Sequence, residues 1–280
     1  MKSIGILYIC TGPYAIFWKD FYETFEAKFL PNTEKCYYVF TDADNIYQEE
    51  ATRVHKYYLG PQPWPLITLL RFHTFLSIRD ELEKHDFLMF SNSNIVCENM
   101  VSEQEFLPDT RKGERMCFTQ HPGYFDLPCY KVPYDRNPKS TAYIPYNQGK
   151  QYVIGAMFCG DSKEFLNMSE MLRNNINEDL KKNIIARWHD ESHINHYLAI
   201  TNGCKVLTSS YCYPYGMEIP IERKLAAVGK QDKFDIKTFK GQNKVQIKRT
   251  IIKRIFDKIK QTYFKEKIYY LRDLLLKKNI

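Results

Sequence analysis

Three ionisable side chains stand in a row at His189-Asp190-Glu191, directly after Trp188. Such a block can supply a carboxylate for acid–base or nucleophilic work, or no more than an acidic first turn that complements a helix dipole. His193 and His196 follow, so a metal site has to be weighed. His189 and His193 have the four-residue spacing that puts two imidazoles on one helix face, but no Cys or Glu pattern completes a zinc framework. A second polar cluster, Ser91-Asn92-Ser93-Asn94, closes an apolar run that begins at Phe87. A third, His121-Pro122-Gly123-Tyr124, ends another apolar run and reads either as a recognition loop or as an ordinary exposed one. Flat rings such as Tyr124 and Trp188 suit the C–H faces of a pyranose. The chain carries neither common Gly-rich phosphate loop and no G-x-S-x-G hydrolase elbow.

These clusters need elements to hold them. Residues 4–9 form an apolar strand that runs into the turn Cys10-Thr11-Gly12-Pro13. Phe17, Phe21, Phe25 and Phe29 recur every four residues and mark the aromatic face of a helix over 17–29. Strands are expected at 36–40 and 53–58, followed by a stiff loop through Gly60-Pro61 and Pro63-Trp64-Pro65. A long helix is expected over 67–82, with Leu69, Phe72, Phe75 and Leu76 inward. The strand over 87–90 then delivers its polar end to the carboxyl edge of the sheet, where open α/β sheets bind ligands. Residues 98–114 read as helix and loop, 116–119 and 151–158 as strands, and the proline-bearing stretch 126–150 as irregular. Ser162 is expected to cap a helix to about residue 175. A second helix over 178–187, a third ending at 198 and a last strand over 205–207 follow. The succession predicts an α/β fold, a single domain over 1–234 with a mixed, mainly parallel sheet.

Charge divides the chain. Of 280 residues, 40 are Lys or Arg and 33 are Asp or Glu, a net charge of +7. From Lys244 onward there are 12 basic and 3 acidic residues, which leaves 28 against 30 before it. The near-neutral body gives no argument for nucleic-acid binding. The segment 235–280 reads as a basic amphipathic helical tail, with Ile247, Ile251, Ile255 and Ile259 every four residues. Either it docks peripherally on a membrane surface or it packs on its own domain or a partner. The eight cysteines have no Cys-x-x-Cys pair and read as free thiols in a reducing compartment. With no signal-peptide core or spanning run, a cytoplasmic location is expected, with the tail able to reach the inner face of the membrane.

The stretches that carry these features resemble bacterial members of family 6 glycosyltransferases, relatives of the histo-blood-group A and B transferases. The matching stretches are Tyr37-Tyr38-Val39-Phe40-Thr41-Asp42, the 87–94 slot, His121-Pro122-Gly123-Tyr124 and Ser140-Thr141-Ala142-Tyr143-Ile144-Pro145. Most specific is Trp188-His189-Asp190-Glu191-Ser192-His193. The resemblance implies a GT-A fold. It also implies transfer of galactose or N-acetylgalactosamine from a UDP donor, α1,3 to a galactose acceptor of fucosylated, H-type character, with retention. Ile9, Thr11 and Tyr14 match positions that hold uracil and ribose. Arg71, His189 and Asp190 match donor contacts, and Ile154-Gly155-Ala156 matches the segment that senses the donor's 2-substituent. His121 and Trp188 match acceptor contacts. Glu191 matches the nucleophile or stabiliser on the far face of the sugar. Arg223-Lys224-Leu225 and Lys230 resemble a basic stretch that closes over the diphosphate.

Two departures carry weight. Pro133 and Pro214 stand where polar acceptor contacts are expected. Asn92-Ser93-Asn94 stands where the family commonly has Asp-any-Asp, and an uncharged amide is a weak ligand for Mg²⁺ or Mn²⁺. The expectation is a metal-independent enzyme in which Asn92 and Asn94 contact the donor directly. Loss of that motif would also fit a sugar-binding or scaffolding protein on an inactivated transferase fold, although the intact His189-Asp190-Glu191 block argues against decay.

Overall fold

The computed structural model describes residues 1–125 and 127–235. The basic helical tail expected over 235–280 lies outside the described residues, apart from Asp235.

In chain order the elements are β1 (Lys2–Ile9), α1 (Trp18–Lys28), β2 (Thr33–Thr41), β3 (Val54–Tyr58), α2 (Leu66–Leu69), α3 (Arg71–Leu76), α4 (Arg79–Leu82) and β4 (Phe87–Asn92). They continue with β5 (Ile95–Cys97), α5 (Glu103–Phe106), β6 (Met116–Gln120), β7 (Val153–Asp161), α6 (Ser162–Lys181), α7 (Asp190–Ile200), β8 (Cys204–Leu207) and β9 (Leu225–Ala227). Seven strands form one sheet in the order β3-β2-β1-β4-β7-β6-β8, and β5 pairs with β9 apart from it. β1, β2, β3 and β4 are mutually parallel, β7 runs antiparallel to both β4 and β6, and β8 is parallel to β6. The fold is therefore α/β with a mixed, mainly parallel sheet. Because β7 alone runs counter, the carboxyl ends of the other six strands and the amino end of β7 share one edge.

Apolar side chains cover both faces of the sheet. Phe21, Phe25 and Phe29 of the aromatic stripe pack with Tyr8, Trp18 and Tyr37 on one face. Leu69, Phe72 and Phe75 pack with Phe90, Phe158 and Phe165 on the other. All eight cysteines are free thiols, five of them buried. Among the described residues no helix is long and apolar enough to cross a membrane.

Two helical expectations need correction. The long helix over 67–82 is three short ones, broken at Leu70 and at Ser77–Ile78. Neither Pro nor Gly causes the breaks. Thr68 and Ser77 hydroxyls bond back to the carbonyls of Pro65 (2.9 Å) and Thr74 (2.7 Å), competing with the helical ladder. The two helices expected over 162–175 and 178–187 are instead the single α6, whose end is followed by Asn183 at φ 56°. Asp161 caps it by accepting from the Glu164 N–H at 2.9 Å, while Ser162 donates its hydroxyl to the His85 carbonyl at 2.5 Å.

Candidate active site

The shared sheet edge collects most of the sequence-predicted residues. β1 ends at Ile9 and β4 at Asn92, and these two are register partners. Thr11 and Tyr14 lie in the turn beyond β1, with Thr11 nearly buried and Tyr14 half-buried. Asp42, just past β2, accepts from the Gly12 N–H at 2.6 Å and fixes that turn. β7 begins next to Ile154-Gly155-Ala156, and β6 runs out into His121.

The amino end of α7 meets this edge at Gly155. A Cβ there would stand 3.2 Å from the Glu191 Cβ and 3.4 Å from Asp190 Oδ2, so only glycine lets strand and helix approach so closely. His189, the residue before the helix, is held at φ 54°, a conformation uncommon outside glycine and concentrated at functional sites. Its ring packs edge-on against Trp64, centroids 4.9 Å apart. Trp188 is exposed, and its backbone N–H donates to the Ser192 hydroxyl at 2.9 Å.

Both oxygens of Glu191 are held. Oε1 accepts from the Tyr152 hydroxyl at 2.7 Å and Oε2 from the Gly155 N–H at 2.8 Å. Burial raises its pKa from 4.5 to about 7, against the pull of these two donors. Asp190 beside it is buried and raised to about 6 by desolvation, which the Arg71 charge only partly offsets. Arg71 is also buried. Its Nε lies 3.1 Å from Asp190 Oδ2 but directs its N–H at the Thr68 carbonyl, 3.2 Å away. Asp190 Oδ2 thus carries charge contact without a well-directed hydrogen bond among the described residues. Arg71 also donates from Nη1 to the Gly155 carbonyl at 2.6 Å and lies 4.3 Å over the Phe90 ring. Arg71, expected as a donor contact, braces the start of β7 and brings its charge to Asp190.

Tyr152 also joins Glu191 to the loop that starts at His121. Its carbonyl accepts the His121 N–H at 2.9 Å, and its ring contacts His121, Tyr124 and Tyr134. Burial lowers the His121 pKa to about 4, so the imidazole is neutral near pH 7, and its Nδ1 accepts from the Gly123 N–H at 3.0 Å. The sequence reading passed over Tyr152, because nothing in its spacing marks it. Only the seating of α7 against the start of β7 brings it to Glu191.

The Asn92-Ser93-Asn94 slot differs from expectation in one respect. Asn92 is half-buried at the end of β4. Asn94 is 7% exposed, and its amide donates to the Val228 carbonyl at 2.8 Å. The slot has no carboxylate, and the Asn94 amide nitrogen faces protein. His189 and His193 do not converge either, since His193 lies buried 3.9 Å from Asp179 of α6. Among the described residues no group of three His, Cys, Asp or Glu could hold a metal ion. Asn92 and Asn94 offer uncharged amides where an Asp-any-Asp slot would offer carboxylates.

Beyond Val228 the chain crosses back to β1. Lys230 Nζ lies 5.3 Å from the centre of the Tyr14 ring, and Phe234 meets Tyr14 edge-on at 5.1 Å. Arg223 stacks on Tyr213 at 4.5 Å, and Lys224 pairs with Glu222 at 3.3 Å and Glu105 at 3.6 Å, away from the slot. Of the basic stretch, Lys230 is thus the member brought to Tyr14. Pro133 is buried, whereas Pro214 lines a cleft of about 450 Å³ with Tyr213, Tyr215 and Met217.

The sequence pattern of glycosyltransferase family 6 matches residues 1–237. The chain belongs to this family. An O-antigen biosynthesis glycosyltransferase of Escherichia coli, WbnI, is 35% identical over 82% of this chain and 94% of its own length. A rat histo-blood group ABO system transferase is 27% identical, and a chicken globoside alpha-1,3-N-acetylgalactosaminyltransferase 28%, each over 75% of this chain. The chain spans 63% and 62% of those two animal proteins. Family 6 membership makes the protein a hexosyltransferase that takes a nucleotide-sugar donor and a glycan acceptor.

Proposed function

We propose that this protein is a retaining, metal-independent transferase that moves galactose from UDP-galactose, α1,3, to a galactose of a fucosylated, blood-group-like glycan. The observation that supports it most is the Glu191 carboxylate, fixed by Tyr152 and Gly155 at the edge where β1 and β4 end. In this reading the donor's UDP lies over Ile9, Thr11 and Tyr14, with Asn92 beside the ribose and diphosphate. Lys230 closes from the other side and offsets the negative charge that grows on the leaving UDP. The transferred sugar rests against Asp190, whose charge is held in place by Arg71. Glu191 faces the anomeric carbon from below, where an oxocarbenium-like centre needs a carboxylate. His121 and Trp188 frame the acceptor, neutral imidazole on one side and an exposed ring on the other.

Donor choice rests on Ala156, whose methyl narrows the space for a 2-acetamido group. One methyl discriminates by only ~1–3 kcal/mol, so the preference is graded rather than absolute. Side-by-side kcat/KM for the two donors tests it, with UDP-galactose expected ahead by about 10-fold or more. A clear lead for UDP-N-acetylgalactosamine would reverse the assignment. The alternative, a sugar-binding or scaffolding protein on an inactivated fold, predicts no UDP release with any galactose-terminated acceptor. The intact Asp190–Arg71 and Glu191–Tyr152 pairs favour the enzyme.

A further inference from the structure

Asn94 does something that the aspartate it replaces could not. The Val228 carbonyl has no proton to give, so its partner must be a donor. The Asn94 amide supplies one at 2.8 Å, and the Val228 N–H returns a bond to the Asn94 carbonyl at 2.7 Å. From Asn94 the chain enters β5, which pairs antiparallel with β9: Ile95 opposite Ala227, Val96 opposite Ala226, Cys97 opposite Leu225. The Ala227 N–H is held in turn by the Tyr213 carbonyl at 2.8 Å. Immediately beyond Val228, Gly229 lies under the ends of the Asp232 and Tyr215 side chains, which a side chain there would have to displace. Lys230 follows, with its Nζ near the Tyr14 ring. Asn94 is therefore a side-chain tether two residues upstream of Lys230, inside the slot itself.

We propose that Asn94 is a positioning residue whose amide clips residues 225–230 onto the sheet edge and so sets Lys230 over the nucleotide. This deepens the proposed function and rests on it. A carboxylate at this position would face the Val228 carbonyl lone pairs with a negative charge and push the segment off. Restoring the family's second aspartate would thus weaken donor binding rather than recover metal use.

The test is UDP binding and donor kinetics for Asn94→Asp and Asn94→Ala, each compared with the parent at the same pH. At pH 8, Asn94→Asp should bind UDP about 10-fold or more weaker, with donor KM raised by a similar factor and kcat at saturation changed little. As the pH falls toward 4, the ordinary aspartate value, the new carboxyl takes up its proton, can donate to Val228, and the gap should close. Asn94→Ala should lose less and show no such recovery. Mn²⁺ should help neither. A merely structural role would lower the melting temperature without this acid rescue. If Asn94→Asp fails to fold, the Asn94→Ala result decides: UDP affinity equal to the parent's overturns the proposal. Parent-like UDP binding by Asn94→Asp at pH 8, a loss that acid leaves unchanged, or restoration by Mn²⁺ would each overturn it too. A parent protein that binds no UDP at all would instead overturn the transferase reading.

Discussion

Glu191 is gripped by two donors of different kinds, one hydroxyl and one backbone N–H. Burial holds its pKa near 7, so the ionised form that a nucleophile needs fills in across neutral pH. We expect kcat to rise as pH increases through about 7, a profile that a pH–rate series will show. The same shift acts on stability with the opposite sign. The folded state binds this proton more tightly than the unfolded state does, so ionising Glu191 costs stability above about pH 7, and the cost vanishes below the ordinary value of 4.5. Glu191→Gln should therefore be the more stable protein at pH 8, on the order of 1–3 kcal/mol allowing for partial exposure, and no more stable at pH 4. Glutamine can accept from Gly155 and donate to the Tyr152 hydroxyl, so the local bonds survive. Its kcat should fall by orders of magnitude while UDP binding is kept. Near-normal transfer would remove Glu191 from its role.

At the scale of elements, the contact that matters is α7 against the first residues of β7. Gly155→Ala would force its methyl within 3.2 Å of the Glu191 Cβ, and the helix end must move by a few tenths of an ångström. We expect kcat to fall by up to ~10-fold, since the shift is a fraction of the 1 Å misplacement that costs ~100-fold, with a stability loss of ~1–3 kcal/mol. Full activity in this variant would show that the close approach is incidental. The strands of this region were legible because each is an apolar run stopped by turn formers, and the Trp188–His193 block marked its own importance by type and order. Elsewhere the sequence misled. Residues 67–82 have helical periodicity, but hydroxyl back-bonding at Thr68 and Ser77 outweighs it, and the break at Leu70 is where Arg71 turns inward. β5 and β9 have three residues each, too few for any alternation to register. Tyr152 and Val228 act through tertiary contacts alone, one through a hydroxyl and the other through its backbone.

For the whole molecule, the route of the chain brings its own Lys230 back to the edge where it began. β9 docks on β5, directly after the slot, and the segment beyond reaches Tyr14 and Phe17 near the amino terminus. The fold thus carries a lysine of its own to the edge where β1 ends. The basic stretch 244–280 lies apart from the family match, which ends at residue 237. We expect its removal to abolish pelleting with anionic liposomes and leave turnover in solution intact, whereas unchanged pelleting would reject a membrane role. The most direct measurement for the account as a whole is turnover of UDP-galactose with a fucosylated galactose acceptor after exhaustive chelation. It should continue at the untreated rate and gain nothing from added Mn²⁺. A large loss that Mn²⁺ restores would contradict a site run on its own amides and lysine.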